Sequence, residues 1–335
     1  LSNSLTAGVK NGATVNVSGD VFVRAGGAPS AGTLDALLGT DADSALTDYD
    51  MKSANNGYSS DLKSARGTGE SVIGVAGTLG VSLGNNSASV GLSYVQNNIQ
   101  TTYAAELNGD ITATGNVDVT AYSKANIVGV AAGAGATKGR FSGMGSASVN
   151  MIGQRTEASL TGGTVRAASL DVDSATTGNL FSLAGNLSIS SGAGGTAAGG
   201  AVSYTQTGTR TYTTADTTYT VDGVSVTEKG GTFTSRASGN SAKVVNTTLQ
   251  LDSGDLNVQA HNTSDIQSLA ASVAVSAGAG GQAFSGTATW NEIGDVTAAQ
   301  IDYSLVTARK IHVSAGESSD GKTASIQSLA GGLSA

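Results

Sequence analysis

The chain has 335 residues, a formal charge of −8, 48 glycines, one proline and no cysteine. Charged residues are 13% and aromatics 4%, and no Lys/Arg cluster offers the phosphate neutralisation that nucleic acid needs. The wealth of Val, Ile and Thr excludes ordinary disorder. The lack of a Gly-X-Y period excludes collagen, and no apolar run of about 18 residues offers a membrane-spanning helix.

The opening Leu1-Ser2-Asn3-Ser4-Leu5 lacks the charged start and apolar core of a signal peptide, so any export signal is expected upstream or already removed. Val21-Phe22-Val23-Arg24-Ala25 follows as an alternating stretch of strand period. Residues 28–70 then read as a polar insertion with a short helical turn at Leu34-Asp35-Ala36-Leu37-Leu38.

From Val72 onward a motif returns. Val72-Ile73-Gly74-Val75-Ala76-Gly77 recurs as Ile127-Val128-Gly129-Val130-Ala131-Ala132 and Leu180-Phe181-Ser182-Leu183-Ala184-Gly185. It appears again at Ile266-Gln267-Ser268-Leu269-Ala270 and Ile326-Gln327-Ser328-Leu329-Ala330. A second motif sits later in each unit: Val117-Asp118-Val119, Leu170-Asp171-Val172, Leu256-Asn257-Val258 and Ile311-His312-Val313. Between them lies Asn-x-Ile followed by Ala, at Asn97 with Ala105, Asn150 with Ala158, and Asn291 with Ala299. Thr207-Gly208-Thr209 before Ala215 takes its place in the remaining unit.

These spacings define repeat units of about 72–126, 127–179, 180–265 and 266–325, the third lengthened by an insertion at 216–245. The chain is read as one continuous segment, 1–335, of a larger protein, because no polar capping repeat is visible at either end. Apolar residues alternate within each unit, and glycines punctuate at Asn108-Gly109-Asp110, Gly162-Gly163 and Gly254-Asp255. The run Gly129–Ala136 is small on both faces, which suits a strand closely approached by another layer on each side. Stacked units would place Val119, Val172, Val258 and Val313 in one column and Asn97, Asn150 and Asn291 in another, where amides form ladders. The expected fold is all-β, a repeat β-solenoid of the parallel β-helix kind with hairpin excursions. A stacked-hairpin β-prism is the alternative.

Ile-x-x-Leu-Ala at the unit start, a Gly/Ala/Ser run, Asn-x-Ile, Ala, then Val-x-Val-x-Ala resembles the repeats of filamentous haemagglutinin-like and leukotoxin-type large filamentous adhesins of bacteria. The likeness covers residues 10–335 apart from the two insertions. It implies export to the bacterial cell surface and display as a fibre that attaches to other cells or a biofilm matrix. The partners implied are a host-cell or bacterial surface receptor or glycan, or further copies of the chain. It implies no catalytic residue and no cofactor. A self-assembling surface layer or matrix fibre is the second functional reading. A β-helix enzyme acting on polysaccharide is a third, disfavoured by few aromatics and scattered acids.

Few residues suggest chemistry. Gly80-Val81-Ser82-Leu83-Gly84 matches a nucleophile elbow, a motif that needs a strand-to-helix turn with His and acid partners. Ser60 with Lys63 and Ser319 with Lys322 match S-x-x-K, and all three matches are expected by chance in this composition. Asp41, Asp43, Asp48 and Asp50 are the one metal candidate, read first as a solvated loop since Ca²⁺-loop spacing is missing. His261 and His312 lack partners at metal spacing. Asp118, Asp171 and Asp173 are expected to point outward as solubilising groups. Trp290 and Tyr94 are expected to pack, and Tyr103, Tyr212 and Tyr219 to be the better ligand contacts. Sequons at Asn16, Asn85, Asn186, Asn246 and Asn262 are read as chance.

Overall fold

The computed structural model describes residues 1–26, 70–208, 210–214, 216–221, 224–228, 231–235, 239–251, 254–316 and 324–335. The described residues are all-β with no helix. The first strands are β1 (Ser2–Val17), β2 (Val21–Ala25), β3 (Glu70–Ser82) and β4 (Ala88–Ala113). The middle of the chain holds β5 (Val117–Thr137), β6 (Phe141–Thr161), β7 (Thr164–Ala167), β8 (Leu170–Ser190) and β9 (Thr196–Thr207). Four short strands follow, β10 (Arg210–Thr214), β11 (Thr217–Val221), β12 (Val224–Glu228) and β13 (Gly231–Ser235). The last are β14 (Gly239–Val245), β15 (Thr248–Leu251), β16 (Asp255–Ser276), β17 (Gln282–Ile293), β18 (Val296–Asp302), β19 (Leu305–Thr307), β20 (Lys310–Gly316) and β21 (Ser325–Ser334).

Two large parallel sheets carry the repeats. One holds β3, β5, β8, β16 and β21 with β2 and β20; the other holds β4, β6, β9 and β17 with β1, β7, β14, β15, β18 and β19. Each unit sends a long strand along the first sheet, turns, and returns along the second. Pairing between units is parallel and in register. The first motif aligns as Val72–Ile127–Leu180–Ile266–Ile326. The second aligns as Val23–Val119–Val172–Val258–Val313. Strand period two makes this alignment self-consistent, since a one-residue slip would turn every Val column out of the core. Antiparallel pairing among the described residues is confined to β10 with β13 and β11 with β12.

The core has three apolar clusters, the smallest of them Ala184, Ala201 and Ala270. Buried Leu107, Leu160, Val165, Leu170, Leu249 and Leu256 form the largest, together with Val23, Val119, Val172 and Val258. Burying each such side chain contributes about 1.5–3 kcal/mol. Next to it Ile99, Ile127, Ile152, Leu180 and Ile266 form a second. Val165 and Ala167 alternate out of phase with Leu170 and Val172 because a corner separates β7 from β8 between them.

Corners differ from the reading of Gly and Asn pairs. Gly162 and Gly163 do turn, with φ of 71° and 74°. The residues registered with Gly162 in the next two units, Asn246 and Tyr303, take φ of 53° and 48°. The corner is thus left-handed in three successive units whatever side chain stands there. Asn108-Gly109-Asp110 is no break: it lies inside β4. A Cβ on Gly109 would come within 2.2 Å of the Ala13 carbonyl oxygen of β1, so glycine is required by the neighbouring unit's approach.

The insertion of the third unit is displaced from 216–245. Gly239–Val245 is a strand of the main sheet, with Ala242 paired to Ala158 on one side and Ala299 on the other. Thr205, not Thr207, registers with Asn150. Residues 209–238 therefore stand where the preceding unit has the single residue Gln154. The sequence alignment slid because Ala215 matched the column as well as Ala242 does. The other expected insertion, 28–70, lies outside the described residues, with its helical turn, apart from Glu70, which opens β3.

Candidate functional site

The long arms of each unit, from Val72 to Ser82 in β3 and Ala88 to Ile99 in β4, run past the apolar core as two facing layers. The space between these layers is small and polar. Asn97, Asn150, Ser148, Ser182 and Ser203 are buried there. Asn97 Nδ2 donates to Asn150 Oδ1 at 2.7 Å, and Asn150 Nδ2 to Ser148 Oγ at 3.0 Å. Ser203 Oγ donates to Ser182 Oγ at 2.6 Å, and Asn291 Nδ2 to Ser268 Oγ at 2.8 Å. The Asn column is interrupted by Thr205 between Asn150 and Asn291. The expected ladder of amides is therefore one direct link, Asn97 to Asn150, followed by a bond within β6 to Ser148, and the bonds of Ser203 and Asn291 cross to the facing sheet.

Glycines make room for these amides. A Cβ on Gly74 would lie 2.4 Å from Asn97 Oδ1, and one on Gly129 would lie 2.3 Å from Asn150 Oδ1. Nearer the tip the buried Met144 fills the gap, with Gly80, Gly91 and Gly135 around it. The Gly/Ala run is thus tight on its inner side, where the facing sheet approaches.

Its outer side is open and apolar. On the first sheet, Val75, Val130, Leu183, Leu269 and Leu329 register as one outward column. Two positions along, Gly77, Ala132, Gly185, Ala271 and Gly331 register as a column of small residues. Beyond them come Leu79, Ala134, Leu187, Val273 and Leu333. Val75 is 71% exposed and Leu79 79%. On the second sheet, Leu92, Phe141 and Phe284 flank a shallow groove of about 660 Å³ floored by Gly143, Gly145, Gly200 and Gly286.

The aromatics assigned from sequence are placed otherwise. Trp290 and Tyr94 face outward, 65% and 53% exposed, and are not core packing residues. They occupy the same strands as Asn97 and Asn291, but at odd offsets from those inward residues, so the pleat turns them to the opposite face. Tyr103, expected as a ligand contact, is buried and donates to the Glu70 carboxylate. Burial and the Glu70 carboxylate push its hydroxyl well above the usual tyrosine range. Tyr212 and Tyr219 lie on β10 and β11, at positions paired with Phe233 and Val226.

Charged groups gather on the outer surface over the Val column. Asp118 accepts from Arg24 and from Thr120 Oγ1, the latter at 2.6 Å. Asn257 Nδ2 donates to Asp171 at 2.6 Å. Asp173 is not simply solvated. Burial pushes its carboxyl up, His261 opposes this, and the neighbouring Asp118 and Asp171 add to it. Glu157 lies between Arg155 at 2.6 Å and Lys243 at 3.6 Å. Burial would raise its carboxyl, but the two cations outweigh this and hold it below its ordinary value.

Ser82 ends β3 and leads through a turn into β4, not into a helix, so the elbow geometry is not formed. His261 and His312 lie within β16 and β20. Asp41, Asp43, Asp48 and Asp50 lie outside the described residues, as do Ser60, Lys63, Ser319 and Lys322. Asn186 of the third sequon is buried and donates to the Gly200 carbonyl at 2.6 Å, so the folded chain withholds it from a glycan. No protein-family model, curated protein or solved structure matches the chain.

Proposed function

We propose that the chain is a β-solenoid stalk, the repeat region of a secreted bacterial surface adhesin that holds a binding element away from the cell. Its role is mechanical and displays surfaces, without catalysis. The observation that carries this reading is the unit-on-unit register, Val119 on Val172 on Val258 on Val313. Each added unit lengthens the stack by about 4.8 Å through strand pairing and extends the core without closing it. The excursion at 209–238 is where such a stalk can carry variable contact surface, because its described strands pair only with one another.

A self-assembling layer or matrix fibre is the second reading, favoured by the apolar outer faces of both sheets. Immunogold electron microscopy of the producing cells, with antibody to this chain, tests the proposal. Labelled projections from the surface are expected. Label confined to the cell interior overturns it, and a continuous lattice selects the second reading.

A further inference from the structure

The outer face of the first sheet, between Ile73 and Val81, is built to be covered. We propose that a second copy of this chain packs there, face to face, with the two stacks side by side and their axes parallel. The inference rests on the two faces alone and holds whether or not the chain is a surface stalk.

Three observations carry it. The first is relief. The column through Val130 and Leu183 is large in every unit, and the column through Ala132 and Gly185 is small in every unit. Added Cβ atoms at Gly77 and Gly331 meet nothing within 4 Å, so the small column is an empty groove. A two-fold axis parallel to the stack, midway between these columns, sets each ridge into the partner's groove. The same operation brings each unit opposite its counterpart, so the match repeats along the whole length. Isologous contact of this kind is the commonest in homo-oligomers. The second sheet's outer face lacks this regularity, since Leu92 registers with Gly145, Gly200 and Gly286 in a single column.

The second observation is area. Five strands about 4.8 Å apart, each giving five outward positions, present on the order of 700 Å². That is close to the ~800 Å² per partner of a standard stable interface. The third is the absence of charge from the three columns, which removes the desolvation cost that a covered ionic group would carry. A lipid surface fits less well. Among the described residues β3 pairs only with β5 within its sheet, so its other side is a sheet edge there, and open sheet edges do not occur in hydrocarbon. A partner chain leaves those edges in water.

Sedimentation velocity of the 335-residue chain over a concentration series tests this. A dimer is expected. Leu183→Lys with Leu269→Lys should weaken it at least tenfold in dissociation constant, with the circular dichroism spectrum unchanged. Ala132→Phe with Gly185→Phe, which fills the groove without adding charge, should do the same and stands in if the lysine variant misfolds. Leu92→Lys, on the other sheet, should leave the dimer intact. A wild-type monomer at all concentrations overturns the proposal. So does a monomer that floats with phosphatidylcholine vesicles, which assigns the face to lipid. A dimer that survives both first-sheet variants, or dissolves only with Leu92→Lys, overturns it too.

Discussion

Asp173 shows how a single carboxylate can work against its own fold. It stands on an outward strand position beside Asp118 and Asp171, and its burial holds the carboxyl above the ordinary range. A group whose folded pKa is raised favours the folded state below the unfolded pKa, and that benefit is lost as pH rises through the folded value. At neutral pH the charged carboxylate is therefore a cost. Asp173→Asn is expected to raise the melting temperature near pH 7, with the gain shrinking as pH falls through the raised folded value and gone below about 4, where both states are protonated. Thermal melts of both proteins across pH check this; a constant difference would show that burial of the charge is not the cause.

Among the strands, the pairing of glycine on one sheet with an amide on the other does the work that large side chains do in an ordinary core. Gly129 faces Asn150, which is fully buried and hydrogen-bonded to Asn97 and Ser148. Gly129→Ala should push that amide out of its bonds and destabilise by about 1–3 kcal/mol, the usual range for overpacking. In an Asn150→Ala background the same substitution should cost less, because the nearest group it strikes is gone and Ser148 Oγ, 2.7 Å from the added Cβ, is the contact that remains. A double-mutant cycle in urea measures that coupling, and additive effects would refute the contact. The chain's alternation made the strands and the Val columns legible. The inner partner of Gly129 was not legible, because pairing across a two-layer sheet depends on where the turn at Lys138–Arg140 brings the chain back.

At the scale of the molecule, the third unit tests how far the stack tolerates interruption. Residues 209–238 replace one residue of the neighbouring unit, and their described strands pair with each other and not with the stack. Loop-closure cost grows slowly with length, about 0.6 kcal/mol per doubling, so such an insertion adds little even though its counterpart Gln154 lies within β6. Deleting 209–238 and joining Gly208 to Gly239 through one Gln should leave the β circular dichroism signal intact and the melting temperature unchanged or slightly higher. Loss of folding would place the excursion inside the core. If the excursion carries the adhesive contact, cell or matrix binding falls in the same variant.

The all-β class, the strand periodicity and the Val and Ile columns could be read from the residues alone, because strand side chains alternate strictly and each unit restates the same order; the Asn and Ala columns of the third unit could not, because Thr207 and Ala215 mimic Thr205 and Ala242. The sequence could not determine which face of each arm looks inward. Both faces of the Gly/Ala run carry small or apolar residues, so hydropathy does not separate the Ser- and Asn-lined interior from the Val- and Leu-lined exterior. Only the return of each unit along the opposite sheet decided that. Trp290 was thereby turned outward, Tyr103 was buried against Glu70, and Gly239–Val245 was drawn from the insertion into the stack.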